Sequence, residues 1–443
     1  MRIISSAMAL LMLVPGSALP APTCNVAPVT ITHTGSVSPN TNPHTLVFID
    51  TTKYPQAICN DGSPAAFIIR QGLNAAANRW VFDLQPGSDC YDQTTCTARW
   101  QSDGFGGKLP QLTGTEFWGT PGHPNETAVY TVMESTNGIL SPSSKTNPDF
   151  WDATQVLALY CSSDDFTGNS PATGTFSGTN VATWNFNGHA ILSAVIATLK
   201  SSYNFNAATE VLLTGSSSGG VGVFLNANNL VSLFPSSTRY VSMADGGFFT
   251  SSIAAFDSAS TVSPYLNPTP PTQFQYELQS SFLIWKSSGD KNCDAQAKNV
   301  NTLQVLCRDP SNVMSGGYVQ IPTYIAQSNY DTWQLNTVNG VPSCVTNSDC
   351  AHQTQANLDG AVYVSYFAST LENAMLATQP ASPTAGVIDQ TPTHLLTSDT
   401  AFTSPLTLQS NGQSTTIANL FGLWYRDPCS STDNEMAISQ YVP

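Results

Sequence analysis

The sequence is poor in charged residues, and above all in positive ones. Only 10% of its 443 residues are charged, against about 25% in an average soluble protein. The chain has 14 Lys and Arg residues and 29 Asp and Glu residues, which gives a net charge of −15. A chain with so few cations is poorly suited to binding a phosphate backbone. We therefore expect no nucleic-acid partner.

Long apolar runs are also missing beyond the N-terminus, where a membrane-spanning helix would need ~18 such residues. Met1-Arg2 is followed by a short, mostly apolar run at 3–15 and by small residues at 16–18. This layout is typical of a secretory signal peptide, which we expect at residues 1–21. A transmembrane anchor is the alternative, but the run is too short. No Pro/Ser-rich linker divides residues 22–443, which we expect to form one domain of a secreted, monomeric protein without a membrane span.

The sequence lacks the tight Cys and His clusters of zinc sites, and we expect no metal and no cofactor. Its ten cysteines all follow residue 21, and their even number favours the disulfide framework of a secreted protein. Short loops close at little entropic cost, which predicts the bridges Cys90–Cys96 and Cys344–Cys350. Cys293 and Cys307 are a third candidate pair. The sequon at Asn125 predicts glycosylation on a surface loop.

Short apolar runs bounded by turn formers predict strands, and apolar residues at helical spacing predict helices. In the second half of the chain the two alternate, which indicates an α/β fold with a mainly parallel sheet and helices on both faces. The predicted strands are 45–49, 65–69, 79–84, 156–160, 211–213, 239–244 and 324–327, and the predicted helices are 188–199 and 221–233. Residues 264–271 are expected to form a loop, and 381–430 loops and short strands.

The run Gly-Ser-Ser-Ser-Gly-Gly at 215–220 fits the pattern G-x-S-x-G. In a chain rich in Ser and Gly the pattern alone would also suit a flexible loop. Here it follows a predicted strand and opens a predicted helix, which is the context of the nucleophile elbow of α/β-hydrolases. Ser217 is therefore the candidate nucleophile, and the helix N-terminus behind it favours a developing oxyanion.

A serine nucleophile needs a base, and the base needs an acid that orients it. In this fold the chain order is Ser, then Asp or Glu, then His. Two histidines follow Ser217: His352, close to Cys350, and His394, in a late loop typical of the base. Asp245 and Asp331 each end a predicted strand, and the residues alone leave them tied as the acid. Asp245 could equally be a structural turn residue.

Several runs resemble, in order, those of the pectin acetylesterase and Notum family of α/β-hydrolase carboxylesterases. The resemblance covers roughly residues 65 to 430 and implies that residues 22–443 are one α/β-hydrolase-like catalytic domain. It also implies Ser217 as nucleophile, Asp331 as acid and His394 as base. The runs are Asn-Pro-Asp-Phe-Trp-Asp-Ala at 147–153, Tyr-Cys-Ser-Ser-Asp-Asp at 160–165, Phe-Asn-Gly-His at 186–189, Thr-Gly-Ser-Ser-Ser-Gly-Gly at 214–220, Ala-Asp-Gly-Gly-Phe-Phe at 244–249 and Ala-Gln-Ser-Asn-Tyr-Asp-Thr-Trp-Gln-Leu at 326–335.

The oxyanion hole is expected to use the backbone N–H of Ser218 and a donor from an earlier loop. In the family that loop carries a Gly-Gly-x-Trp-Cys type of run, whose donor positions fall on Gly87 and Ser88. This sequence has no tryptophan there, and Pro86 replaces a glycine. Proline cannot donate, but the donors at the next two residues remain. The missing aromatic predicts a wider or wetter site than is usual in the family.

The resemblance implies a secreted serine esterase that removes acyl groups, most simply acetyl, from an extracellular polysaccharide such as pectin. A net charge of −15 disfavours a polyanionic substrate, however. A lipid, lipidated-protein or polyester ester hydrolase of the same fold is the alternative enzymatic interpretation. An inactive secreted binding protein is the third.

Overall fold

The computed structural model describes about three quarters of the chain. The described residues are 24–33, 38–101, 138–171, 183–253, 255–256, 273–298, 300–346, 355–379, 383–397, 400–430 and 435–440. Several predicted features lie outside them, namely the signal peptide at 1–21, the sequon at Asn125, Cys350 with its predicted bridge to Cys344, His352 and the loop at 264–271.

The strands of the described residues are β1 (His44–Phe48), β2 (Ala66–Arg70), β3 (Arg79–Leu84), β4 (Thr154–Ala158), β5 (Glu210–Ser216), β6 (Arg239–Asp245), β7 (Thr323–Ser328), β8 (Thr384–Asp389), β9 (Leu406–Thr407), β10 (Ser414–Thr415) and β11 (Met436–Ile438). Nine of them form a single sheet in the order β1-β2-β4-β3-β5-β6-β7-β8-β11. Strand β2 runs antiparallel to β1 and β4, and the other pairs in this sheet are parallel. Strands β9 and β10 pair separately.

Helices flank this mostly parallel sheet, as the sequence predicts. They are Gln93–Gln101, Gly188–Ser202, Ser218–Leu230, Gln273–Trp285, Lys291–Gln296, Asn301–Leu306, Pro310–Ser315, Ser343–Thr346, Gln355–Leu376 and Ile417–Arg426. Every residue of β3, β4 and β5 is buried. Because helices cover both faces of a parallel sheet, its inner strands are buried along their whole length rather than on alternate residues.

The predicted loops at 381–430 are wrong in part, because the helix Ile417–Arg426 lies there. Its buried Ile417, Phe421 and Trp424 recur at helical spacing, and the Thr416 hydroxyl accepts the N–H of Asn419 at 3.1 Å as an N-cap. The apolar spacing and the N-cap residue both lie within this segment and can be recognised in the sequence. The helices Gln273–Trp285 and Gln355–Leu376 were not predicted either, whereas each of the nine predicted strands and helices is found with bounds shifted by at most three residues.

Four disulfides join described residues: Cys24–Cys429, Cys59–Cys161, Cys90–Cys96 and Cys293–Cys307. The expected pairs Cys90–Cys96 and Cys293–Cys307 are thus present. The other two disulfides join cysteines that are 405 and 102 residues apart in the chain. An argument from short loop closure does not predict bridges between cysteines so far apart. Among the described residues, no helix has the length and apolar character required to cross a membrane.

The parallel strands end at one edge of the sheet, and this brings the candidate residues together. Ser216, the last residue of β5, lies opposite Asp245, the last residue of β6. Asp245 in turn lies opposite Ala326 of β7. The loops that follow β5, β6 and β7 therefore meet at this edge, where open α/β sheets place their ligands.

Candidate active site

Ser217 lies in the sharp turn between β5 and the helix Ser218–Leu230. Its backbone has φ 54° and ψ −123°, a conformation that is strained for a residue with a side chain. The turn is tight enough that a Cβ at Gly215 would lie 2.5 Å from the carbonyl oxygen of Gly219. Glycine at 215 is thus required by close backbone approach, and the turn has the geometry of a nucleophile elbow.

His394 lies between Ser217 and Asp331. Its Nε2 is 2.8 Å from Ser217 Oγ, and its Nδ1 is 2.9 Å from each carboxylate oxygen of Asp331. The three side chains come from the turn after β5, the turn after β7 and the loop after β8. Both distances are within hydrogen-bonding range, so a proton on Ser217 Oγ has a direct path to the imidazole.

Asp331 is fully buried and is held in place by two glutamines. Gln327 donates to Asp331 Oδ2 at 2.9 Å, and Gln334 donates its backbone N–H to Oδ1 at 3.0 Å. The side chain of Gln334 also donates to Oδ2, at 3.2 Å. These donors stabilise a buried charge and fix the orientation of the carboxylate towards His394.

The pKa of His394 results from opposing effects. Burial lowers it, while the nearby charge of Asp331, its hydrogen bond and the charge of Asp245 raise it. The net pKa lies above the ordinary value of 6.5. The imidazole is therefore a stronger base than a free histidine.

Asp245 does not contact the imidazole of His394 within hydrogen-bonding distance. Its carboxylate accepts the backbone N–H groups of Leu396 and Thr397, both at 2.8 Å. The two acids that the sequence leaves tied thus have different surroundings. Asp331 faces the ring of His394. Asp245 binds the backbone that follows His394 in the chain rather than the backbone of its own loop.

The predicted oxyanion loop lies beside the elbow. Ser88 and Ser218 line the same cavity as Ser217, and the hydroxyl of Ser218 donates to the carbonyl of Gly87. Arg99, which is buried, donates to Ser88 Oγ at 3.2 Å and to Ser163 Oγ at 2.8 Å. The Cys90–Cys96 bridge ties this loop to the helix Gln93–Gln101 that carries Arg99.

A cavity of about 250 Å³ opens next to Ser217. Its lining is partly aromatic, with Phe249, Phe274 and Trp333, and partly ionisable. The acidic and basic residues of the lining are Asp89, Arg99, Asp165 and Glu277. The lining thus combines aromatic and polar groups, and the wetter site predicted from the missing tryptophan stays a prediction.

The three carboxyl groups of the cavity lie close together, with one oxygen of each within 4.8 Å of the others. Burial raises the pKa of Asp89, Asp165 and Glu277, and repulsion from Asp89 further raises those of Asp165 and Glu277. Such a spacing could hold a cation. Arg99, however, is near enough to lower the pKa of Asp89 and Asp165 by its charge. The cluster is therefore partly neutralised without an added ion.

Sequence reasoning missed most of the cavity lining. Asp165 belongs to the run at 160–165 and Trp333 to the run at 326–335, but neither was assigned a role from the sequence. Their positions in those runs were the available signal. No sequence pattern points to Arg99 or Glu277, because each reaches the cavity from a helix distant in sequence from Ser217.

Comparisons with known proteins bear on the family and the fold of the chain. Residues 37–115 and 126–441 match the family described as Pectinacetylesterase. The palmitoleoyl-protein carboxylesterase NOTUM of Drosophila melanogaster is 34% identical over 173 residues, which are 39% of this chain and 22% of that protein. Its Mus musculus counterpart is 29% identical over 195 residues, 43% of this chain and 33% of that protein. The aligned region thus spans a third or less of these two relatives.

The fold is similar to that of a solved structure, the Wnt deacylase Notum from Drosophila. The TM-score is 0.61 at 19% sequence identity, over 87% of this chain and 93% of that one. At this identity the similarity concerns the fold, which is α/β-hydrolase-like.

Proposed function

Since this chain belongs to the pectinacetylesterase family, we propose that it is a serine carboxylesterase that removes short acyl groups, chiefly acetyl, from an extracellular polysaccharide such as pectin. The observation that carries the proposal is the contact series Ser217–His394–Asp331, with 2.8 Å between Ser217 Oγ and His394 Nε2 and 2.9 Å between His394 Nδ1 and Asp331. The disulfides between described residues support an oxidising, extracellular location.

In the proposed mechanism, Ser217 Oγ attacks the ester carbonyl carbon while His394 Nε2 accepts the hydroxyl proton. Asp331 keeps Nδ1 protonated and stabilises the imidazolium that forms. The tetrahedral intermediate collapses as His394 returns the proton to the leaving alcohol, which leaves an acyl group on Ser217. A water molecule, deprotonated by His394, then attacks this acyl-enzyme and releases the carboxylic acid.

The negative oxygen of the intermediate would be stabilised by backbone donors. The N–H of Ser218 is at the N-terminus of the helix Ser218–Leu230, where the helix dipole also favours negative charge. Gly87 and Ser88 would supply the second donor from the loop after β3. Preorganised donors of this kind each contribute about 3–4 kcal/mol to transition-state stabilisation.

The cavity favours a short acyl group or a hydroxylated alcohol portion over a long alkyl chain. A long chain would lie against Asp89, Arg99, Asp165 and Glu277 and would leave their polar atoms that face the cavity without hydrogen-bond partners, at a cost of about 1–3 kcal/mol for each such group. An acetyl group is small enough to avoid them. We expect activity to peak at about two to four acyl carbons, because the polar lining reduces the apolar area that each added CH₂ can bury.

The charge of the protein bears on the alcohol portion. A net charge of −15 would repel polygalacturonate. The ratio of activity on acetylated pectin to activity on p-nitrophenyl acetate should therefore rise as salt rises or pH falls, since both weaken the repulsion, whereas protonation of His394 affects both substrates alike. An acetylated neutral polysaccharide should show much less dependence on salt.

The proposal is tested by labelling and by an ester-length series. Wild type should react with a fluorophosphonate probe, and Ser217→Ala should not. Ser217→Ala and His394→Ala should lose on the order of 10³-fold or more in turnover of p-nitrophenyl acetate while remaining folded. Ser365→Ala is the matched control, because Ser365 is an exposed serine on the helix Gln355–Leu376. A wild type that binds substrate but neither labels nor turns over would indicate a binding protein instead.

A long-chain ester hydrolase is the second candidate, favoured by the palmitoleoyl-protein carboxylesterases among the relatives and by Phe249, Phe274 and Trp333 in the cavity. The ester-length series distinguishes the two candidates. A clear preference for about twelve or more acyl carbons, driven by apolar burial, would replace the acetylesterase proposal by this one.

A further inference from the structure

Asp245 contacts both chain segments that carry the proposed nucleophile and base. Its carbonyl oxygen accepts the backbone N–H of Ser217 at 2.8 Å. Its carboxylate accepts the N–H of Leu396 at 2.8 Å and, from Thr397, both the N–H at 2.8 Å and the hydroxyl at 2.9 Å. One residue at the end of β6 thus fixes Ser217 through its main chain and the segment after His394 through its side chain.

The residue after Asp245 adds a steric restraint on the same loop. Gly246 has φ +59°, and a Cβ built on it would collide with the carbonyl oxygen of His394. The turn that follows β6 therefore packs directly against the backbone of His394. Only glycine combines this conformation with so close an approach.

The loop that carries His394 depends on contacts of this kind. Residues 390–397 form no helix or strand, so regular backbone hydrogen bonding does not hold them. At one end, the Ser328 hydroxyl donates to the carbonyl of Thr391 at 2.7 Å. At the other end, Ile139 N–H donates to the carbonyl of Thr397 at 2.9 Å, and Asp245 accepts from Leu396 and Thr397. Asp245 supplies the charge-assisted contacts, which are the stronger type.

We infer that Asp245 is a positioning residue, which sets the distance between Ser217 and His394 without touching the substrate. The inference rests on the proposed function, since that function gives this distance its importance. Proton transfer needs the two atoms at hydrogen-bonding distance, and a displacement of about 1 Å can reduce turnover about 10²-fold. A loop anchored at the residues immediately after the base is displaced when that anchor is lost.

The ionisation of Asp245 agrees with this role. Burial raises its pKa to about 6, while the hydrogen bonds from Thr397 and Leu396 and the charge of His394 oppose the shift. Buried Asp83 on β3 is the other acid close to it, and burial and repulsion from Asp245 raise the pKa of Asp83 well above its usual range. With a pKa of about 6, Asp245 is mostly ionised at neutral pH.

The test compares Asp245→Asn with Asp290→Asn, a closely matched control. Asp290 is equally buried and accepts the N–H of Asn292 at 2.9 Å and of Cys293 at 3.0 Å. Burial raises its pKa to about 6 as well, but its contacts hold the start of the helix Lys291–Gln296 and the side chain of Asn228, near the C-terminal end of the helix Ser218–Leu230. Both variants should lose thermal stability. Only Asp245→Asn should lower kcat for p-nitrophenyl acetate, by about 10- to 100-fold, with KM within about twofold of wild type.

A spectroscopic measurement separates positioning from stability. The low-field NMR signal of the His394 Nδ1 proton should shift or broaden in Asp245→Asn and remain as in wild type in Asp290→Asn. If Asp245→Asn does not fold, Thr397→Val, which removes only the hydroxyl contact, should lower kcat about threefold at unchanged KM. Wild-type kcat and an unshifted signal in folded Asp245→Asn, or wild-type kcat in Thr397→Val, would overturn the inference.

Failure of the proposed function would look different. In that case wild type itself would neither label with a fluorophosphonate nor hydrolyse p-nitrophenyl acetate. The NMR signal would then still decide the positioning role, because it reports the His394–Asp331 contact without any substrate. A shifted signal in Asp245→Asn would support the role of Asp245, and an unshifted one would refute it.

Discussion

Trp333 stacks against His394, with ring centroids 6.0 Å apart and planes inclined by 26°. Trp333 follows Asp331 by two residues and lines the cavity next to Ser217. One turn after β7 therefore provides both the carboxylate at the edge of the imidazole and an aromatic ring against its face. Together these contacts restrict the rotation of the imidazole.

We predict that Trp333→Ala reduces kcat about tenfold, because a ring free to rotate spends less time aligned with Ser217. Trp333→Phe keeps an aromatic face and should retain most of the activity. Steady-state kinetics with p-nitrophenyl acetate give both values, and thermal unfolding provides the control, since Trp333 is 36% exposed and its loss should change stability little. Equal kcat in wild type and Trp333→Ala would show that stacking does not orient the base.

The pH dependence of the activity should reflect the raised pKa of His394. The imidazole accepts a proton only when it is neutral, so activity should rise with pH through the pKa of His394. The midpoint of the acidic limb of the pH–activity profile should therefore lie above the ordinary value of 6.5. Asp331→Asn removes the charge that raises this pKa. The limb should then move to lower pH, while the plateau falls on the order of 10³-fold. A pH profile of kcat/KM measures both, and an unmoved limb in Asp331→Asn would contradict the assignment.

The Cys90–Cys96 bridge should affect turnover as well as stability. It ties the loop with Gly87 and Ser88 to the helix that carries Arg99. We predict that the double variant Cys90→Ala/Cys96→Ala loses about 2 kcal/mol of unfolding free energy and also loses kcat. Cys293→Ala/Cys307→Ala should lose comparable stability but keep kcat, since that bridge contacts no proposed catalytic residue. Chemical denaturation and kinetics on both variants make the comparison, and an equal effect on kcat would argue against the bracing role.

The protein should become more stable as the pH falls from 8 to about 5. Burial raises the pKa of Asp164 to about 7 and of Asp290 to about 6, from an ordinary 3.8. A carboxyl group with a higher pKa in the folded state favours folding when protonated. Its contribution to the free energy of unfolding is complete below the pKa that the group has in the unfolded chain. That contribution is lost as the pH rises through the pKa of the group in the folded protein, at up to about 1.4 kcal/mol per group and pH unit.

Scanning calorimetry between pH 5 and 8 measures this effect. Tm should rise towards acidic pH in wild type. Asp164→Asn, which does not titrate, should flatten the part of the profile between pH 5 and 7. A Tm that falls on acidification through this window would contradict the prediction.

Features that depend on neighbouring residues follow from the sequence alone. The elbow at Ser217 was readable because a strand, a glycine-flanked serine and a helix follow one another within a few residues. The inner strands were readable because burial on both faces demands continuous apolar runs. The predicted bridge between Cys90 and Cys96 depended only on a separation of 6 residues. Even the missed helix Ile417–Arg426 has a local signature, in its N-cap and its apolar spacing.

Which residues distant in the chain come into contact depends on the tertiary structure. Without the family resemblance, Asp245 and Asp331 are tied, because each ends a strand predicted from the sequence and neither is near His394 in the chain. The order of β6, β7 and β8 in the sheet puts Asp331 against the ring of His394 and Asp245 against the backbone after it. The carboxyl cluster of Asp89, Asp165 and Glu277 arises in the same way, from a loop after β3, a loop after β4 and a helix. Long-range contacts depend on how strands pair and helices pack, and a linear pattern of residues does not contain that information.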